Sequence, residues 1–287
     1  MAIFNTVPPL AAGAGIKFDG ERISTAAAPK NWLDNSDFRN PVNQRGQNSY
    51  TKGSWGGYTI DRWACGSGTE NTVNIVTDGV SVKGGIIQWL EDVVTKALLG
   101  KKVTCAAKVN SVVYVLSGVV PDNTEWTKIS TVTFDGGDVT LGVNANKRLE
   151  IAITCATQKN IEWAALYEGE YTAETLPEYQ PKGYMCELLE CKRYYQAFAD
   201  NAFLGTGVVT NNYVQGYIAT DVQMRVKPTL AGTIGVYNGG STVTASELRD
   251  CANQGCGLRV NLVLISNLVT SALCIYAQSQ VSFSADL

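Results

Sequence analysis

The sequence contains no histidine. That excludes serine–histidine and cysteine–histidine catalysis, together with histidine-ligated zinc, copper or haem. Any chemistry would fall to carboxylates, Lys, Tyr or Cys. Charge is sparse, with 17% Asp, Glu, Lys and Arg, and no basic block occurs. Nucleic acid is bound through clustered cations that neutralise phosphates, so no nucleic-acid partner is expected. The longest apolar stretches, such as SVVYVLSGVV (111–120), fall short of the ~20 residues of a membrane helix. They are also β-branched, which favours strands over a membrane-inserted helix.

Metal-ligand spacing is missing as well. Cys186 and Cys191 do not stand as Cys-x-x-Cys, nor do Cys251 and Cys256, and no second such pair exists. Cys105 and Cys155 lie in strand-like runs, where a thiol behaves as a small hydrophobe. MAIFNTVPPLAAG has neither the charged start nor the apolar core of a signal peptide. Reduced, buried thiols in a protein made in a cytoplasm are therefore expected. Cys251 and Cys256, in DCANQGCG, are the pair most open to a disulfide.

What is present is strand pattern. Residues 1–30 form a small-residue, proline-punctuated arm with an apolar patch at Ile16 and Phe18. It is either a flexible terminus or an arm that orders on a partner. From about 57 to 170 the signal is β. Val103, Cys105, Ala107 and Val109 alternate onto one face, as do Leu149, Ile151, Ile153 and Cys155, and then Ile161, Trp163, Ala165 and Tyr167. Gly, Asn and Asp turns between such runs are the pattern of an antiparallel sandwich. LEDVVTKALLG (90–100) reads as a helix or as a long loop over the sandwich edge. LPEYQPKGYMCELLECKRYYQ (176–196) reads as a seam holding a short amphipathic helix or an extended connector. A second β-rich block follows, with a hairpin-like NGG turn and no tryptophan. The expected organisation is all-β: an arm over 1–30, a first domain over 31–181 and a second over 182–287.

Candidate chemistry is thin. A glycosidase needs two carboxylates flanking one bond, and Glu91 with Asp92, Asp135 with Asp138, and Glu162 are available. Nothing marks a pair among them. FDGGDVT could offer Asp135 and Asp138 to calcium, or be a plain Asp-Gly hairpin. No other cofactor is expected. Aromatics among polar residues are the better lead. Trp55 and Tyr58 in GSWGGY, Trp126 in PDNTEW, and Tyr213 and Tyr217 in NNYVQGY are candidate ligand-binding residues. Aromatic planes stack on sugar C–H faces while amides and carboxylates bond the hydroxyls. Trp63 and Trp163, within strand patterns, are expected in the core.

NWLDNSDFRNPVNQRG (31–46) has neither strand nor helix period, yet carries Trp32, Leu33 and Phe38. It reads as a strap. Its Asn and Asp side chains would satisfy backbone groups that no ladder reaches. The three apolar residues would pin it, and Arg39 and Arg45 would pair with Asp34, Asp37 or Asp61.

At this stretch, at GYTIDRW (57–63), at LPEYQPKGYMCELLECKRYYQ and at QMRVKPTL (223–230), the chain resembles tail-fibre and receptor-binding proteins of bacteriophages and prophages. The opening MAIFNTVPPLAAG resembles them too. The resemblance implies a jelly roll similar to carbohydrate-binding modules, then a smaller β-sandwich, in a trimer that touches the host surface. It also implies a virion location, attachment to other tail proteins through the arm, a host cell-surface glycan as partner, and no catalysis. Two other readings stay open: a structural decoration or baseplate protein that binds no sugar, and a carboxylate-dependent polysaccharide depolymerase.

Overall fold

A computed structural model describes residues 16–19, 22–25, 29–53, 55–68, 70–122, 125–210, 213–237, 242–253, 257–264 and 272–286. The fold is all-β, with two short helices among the described residues. In the arm, β1 (Ile16–Asp19) and β2 (Arg22–Thr25) pair as an antiparallel hairpin.

A nine-stranded antiparallel sheet follows. Its strands are β3 (Ser49–Lys52), β4 (Ala64–Cys65), β5 (Asn71–Val76), β6 (Gly79–Trp89), β7 (Lys102–Val109), β8 (Val112–Val119), β9 (Thr127–Phe134), β10 (Gly137–Val143) and β11 (Leu149–Glu168). The segment at 90–100 forms helix α1 (Asp92–Leu98), which buries Thr95 and Leu98. The main path runs β3-β5-β6-β11-β10-β9, while β7 pairs with β11 and β8. The first half of β11 pairs with β6 and β10, and its second half with β7. Leu149, Ile151 and Ile153 from one half and Ala164 and Leu166 from the other share one core with Val103, Cys105 and Ala107. The sheet thus closes on itself as a sandwich around β11.

One face assignment needs correction. Ile161 joins that core, but Trp163, Ala165 and Tyr167 do not. An irregularity in the β11–β7 register between Ile161 and Trp163 shifts the alternation by one residue. The three side chains turn to the opposite face, where Tyr171, Leu176 and Tyr179 cover them. Trp163 stacks on Tyr179 at 4.7 Å between centroids. A bulge adds one residue to one strand, so everything beyond it changes side.

Beyond this sheet, α2 (Tyr184–Lys192) runs into β12 (Tyr195–Phe198). The remaining strands are β13 (Phe203–Thr210), β14 (Tyr213–Ala219), β15 (Thr229–Ala231), β16 (Ile234–Tyr237), β17 (Thr242–Asn253), β18 (Gly257–Leu264), β19 (Ala272–Ala277) and β20 (Val281–Ser284). Where a smaller β-sandwich was expected, six of them close into a barrel in the order β13-β14-β18-β17-β16-β19. Closure leaves no unpaired edge. It also needs close backbone approach: a Cβ at Gly205 would lie 1.9 Å from the Tyr217 carbonyl oxygen. β12, β20 and β15 form a separate three-stranded sheet. A second core, with Leu204, Val214, Ile275 and Phe283, belongs to this block. The six cysteines whose side chains are described are free thiols, with Cys186 and Cys274 exposed. The proposed Cys251–Cys256 pairing lies outside the described side chains.

The strap behaves as a strap. Leu33 and Phe38 are fully buried in the first core. Asn31 accepts from the backbone N–H groups of Leu33 and Leu166, at 3.1 and 2.9 Å. Arg39 pairs with Asp37 and Arg45 with Asp61, but Asp34 takes Arg62 instead. Trp32 is only half-buried, with the Lys30 ammonium 4.0 Å over its ring. Trp32→Ala should therefore cost about 1–2 kcal/mol in equilibrium denaturation, below the ~3–5 kcal/mol of a fully buried ring. A loss at the upper figure would show that the ring does more than cover the core edge.

Candidate functional site

The outer face of the sheet, opposite the first core, carries a cleft of about 630 Å³. That lies within the roughly 300–1,000 Å³ usual for ligand sites. Strand alternation builds its floor. While Leu149, Ile151 and Ile153 point into the core, Glu150, Ala152 and Thr154 of β11 point out, beside Ile87 and Trp89 of β6 and Thr140 of β10. Cross-strand pairing lines up Trp89, Glu150, Gly142 and Lys128 as one row over β6, β11, β10 and β9. At ~4.8 Å per strand the row is about 14 Å long.

Glu150 is the pivot of the row. It is 7% exposed, and its two oxygens accept from two indoles: Trp89 Nε1 at 3.0 Å and Trp126 Nε1 at 2.6 Å. A carboxylate offers about four acceptor sites, so capacity for a ligand's hydroxyls remains. Trp55 and Trp126 also line the cleft and are each 55% exposed. Trp55 sits on a turn tied to β4 by Gly56 N–H to Cys65 O at 3.1 Å and Cys65 N–H to Gly57 O at 2.9 Å. Its position is confined by Gly68, where a Cβ would come within 3.1 Å of the Trp55 indole nitrogen. Asn144, Asn146 and Arg148 close the end at the β10–β11 turn. The Asn144 side chain accepts from the Asn146 and Arg148 backbone N–H groups, and Arg148 Nε bonds Asp92 at 2.9 Å.

Of the aromatics singled out from sequence, Trp55 and Trp126 meet here. Tyr58 stands behind them, half-buried, its ring edge-on to Trp89 at 6.4 Å with Arg45 5.3 Å away. Tyr213 and Tyr217 lie on β14 of the barrel and do not line the cleft. Tyr213 is half-buried. Tyr217 covers Gly257 on the neighbouring strand, where a Cβ would fall 1.8 Å from its hydroxyl. Trp63 is in the first core and Trp163 under the linker.

The carboxylates considered for catalysis do not converge. Glu91 accepts from Tyr194 and pairs with Arg193, Asp92 pairs with Arg148, Asp135 with Lys159, and Glu162 with Lys108. Asp138 accepts from Thr140. Among the described residues no three Cys, Asp or Glu side chains gather as a metal would require. The cleft lining includes one carboxylate, Glu150, among the described residues.

A second polar cluster is structural. The Asn35 N–H bonds Glu187 of α2 at 2.6 Å, and Arg62 bonds Asp34 at 3.0 Å while stacking 3.6 Å over Tyr194. Arg45 bridges Asp61 and Asp286, each at 2.6 Å. Burial pushes the Glu187 carboxyl up to about 7 and Asp61 up to about 6, against the pull of Lys182 and Arg45 respectively.

Sequence reasoning missed Trp89, Glu150, Lys128 and Arg148. Glu150 was legible in part, as the charged residue between two core positions of a strand. Comparison of the chain with protein-family models, curated proteins and solved structures finds no match.

Proposed function

We propose that this chain is a non-enzymatic virion protein of the tail-fibre or receptor-binding type, which holds a host cell-surface saccharide in the cleft on its first sandwich. One observation carries the reading: Trp89 and Trp126 hold a buried carboxylate in an open cleft that Trp55 also lines and that Asn144 and Asn146 rim. Indole faces offer stacking to sugar rings, while Glu150 and the amides offer hydrogen bonds to hydroxyls. A single carboxylate suits holding a sugar better than cleaving one, since hydrolysis uses two. The jelly-roll connectivity, the virion location, attachment through the arm and a trimeric state belong to the same proposal. Self-association is supported by α2, which buries Glu187 and Cys191 but exposes Tyr184, Met185 and Leu189. Such an outward apolar face suits contact with another subunit or tail protein.

The test is binding of the purified oligomer, its mass measured by light scattering, to intact bacteria and to their isolated surface glycans. Saturable binding competed by one glycan is expected. Trp55→Ala should weaken it about tenfold or more, and Tyr217→Ala should leave it unchanged. A folded oligomer that binds none of the panel would move the protein to the purely structural reading.

A further inference from the structure

Resting on that saccharide reading, we infer that the cleft is built for an acidic saccharide, whose anionic group sits at Lys128 while its hydroxyls meet Glu150. Lys128 reaches the cleft only because β9 is irregular. The β9–β10 register runs Ser130↔Leu141 and then Lys128↔Gly142, leaving Ile129 as the extra residue. With unbroken alternation from Thr131, which is exposed, Ile129 would face out and Lys128 in. Instead Ile129 packs against the first core and Lys128 lines the cleft. Gly118 on β8 admits this arrangement, because a Cβ there would meet the Ile129 γ-methyl at 2.3 Å. Bulges commonly re-aim a side chain beside a site.

The cation so delivered is unspent. Among the described residues Lys128 has no hydrogen-bond or ion-pair partner. Glu150 makes no ion pair with it: the two stand on either side of Gly142 in the row, their Cα atoms about 10 Å apart at ~4.8 Å per strand, with the Glu150 side chain leaning over Gly142 between them. Glu150 is itself engaged by two indoles, and Arg148 is engaged by Asp92. The row therefore offers the Glu150 acceptors, which lean over Gly142 where β10 supplies no side chain of its own, and beyond them an unpaired ammonium. A hydroxylated ring bearing a carboxylate or phosphate matches that order of groups. A neutral glycan would leave Lys128 unused.

The experiment titrates the full-length oligomer, by tryptophan fluorescence and calorimetry, with three kinds of probe. These are uronate-containing capsular polysaccharides, the same polysaccharides after chemical reduction of their carboxyl groups, and a glycerol-phosphate teichoic acid. Expected is binding of an acidic polymer that falls about tenfold or more in Lys128→Met and weakens in wild type as NaCl rises from about 50 to about 500 mM. Loss on carboxyl reduction assigns a carboxylate, whereas teichoic acid binding with the same Lys128 dependence assigns a phosphate. Lys128→Gln, with an unchanged melting curve, separates charge loss from misfolding. Equal binding of native and reduced polymers, indifferent to Lys128→Met but lost in Trp55→Ala, would overturn the inference and leave the saccharide reading standing. Binding of no polymer would remove both.

Discussion

Asn35→Ala is expected to destabilise the protein by about 3–5 kcal/mol, at the ~1–3 kcal/mol that each unsatisfied buried polar group costs. Asn35 is 1% exposed, and every polar group it has is used. Its side chain donates to the carbonyls of Val42 at 2.9 Å and Asp61 at 2.7 Å, and accepts from Val42 N–H at 2.7 Å. Its own N–H goes to Glu187, and its carbonyl accepts from Trp63 Nε1 at 2.9 Å. It also holds φ at 49°, a left-handed conformation that Asn tolerates better than Ala. Asn35→Gly separates these contributions. Gly adopts the backbone freely but restores no hydrogen bond, so it should lose nearly as much in urea denaturation. A glycine variant close to wild type would show that backbone strain, not the side-chain bonds, sets the cost.

Arg45→Met should cost about 3–5 kcal/mol near pH 8, because it strands two carboxylates in a poorly solvated junction. Asp61 is almost fully enclosed and would keep the Gln44 N–H at 2.9 Å. Asp286, whose carboxyl burial already raises, would keep Ser284 Oγ at 2.8 Å. The loss should shrink on acidification. Asp61 takes up its proton near pH 6 when folded and near its ordinary 3.8 when unfolded. Between those values the folded chain holds more protons, so stability rises as pH falls through that window. Without Arg45 the folded value climbs further, which widens the window. Wild type should show the same sign, reinforced by Glu187 near 7. Denaturation midpoints at pH 8, 7, 6 and 5 would test this. A penalty that stays constant across the series would mean that water reaches Asp61 once Arg45 is gone.

The motifs that make this sequence distinctive turn out to build a junction. Asp34, Asn35 and Arg45 from the strap, Arg62 from GYTIDRW, Lys182, Glu187 and Tyr194 from the seam, and Arg225 from QMRVKPTL meet around one polar cluster. Arg225 N–H donates to the Arg193 carbonyl at 2.7 Å. Their mixture of charge, amide and aromatic is the composition needed to satisfy irregular backbone and buried ions, and it is conspicuous in a chain read linearly. The cleft has no such signature. Trp55, Trp89, Trp126, Lys128 and Glu150 are scattered over nearly a hundred residues; Trp55 and Trp126 stand out among polar neighbours, but Trp89, Lys128 and Glu150 look ordinary, and nothing local links the five.

By itself the sequence determined the β content, the apolar sides of β7 and of the first half of β11, the burial of Leu33 and Phe38, and the exclusion of histidine chemistry. All of these depend on local composition and period. Only the tertiary structure decided which face Trp163, Ala165, Tyr167 and Lys128 take, that the second block closes into a barrel, and that two distant indoles meet at Glu150 in a cleft that Trp55 also lines. The reason is that alternation is a property of one strand, whereas an extra residue is extra only relative to its partner. A bulge is defined by pairing, and pairing brings together residues that the chain keeps far apart.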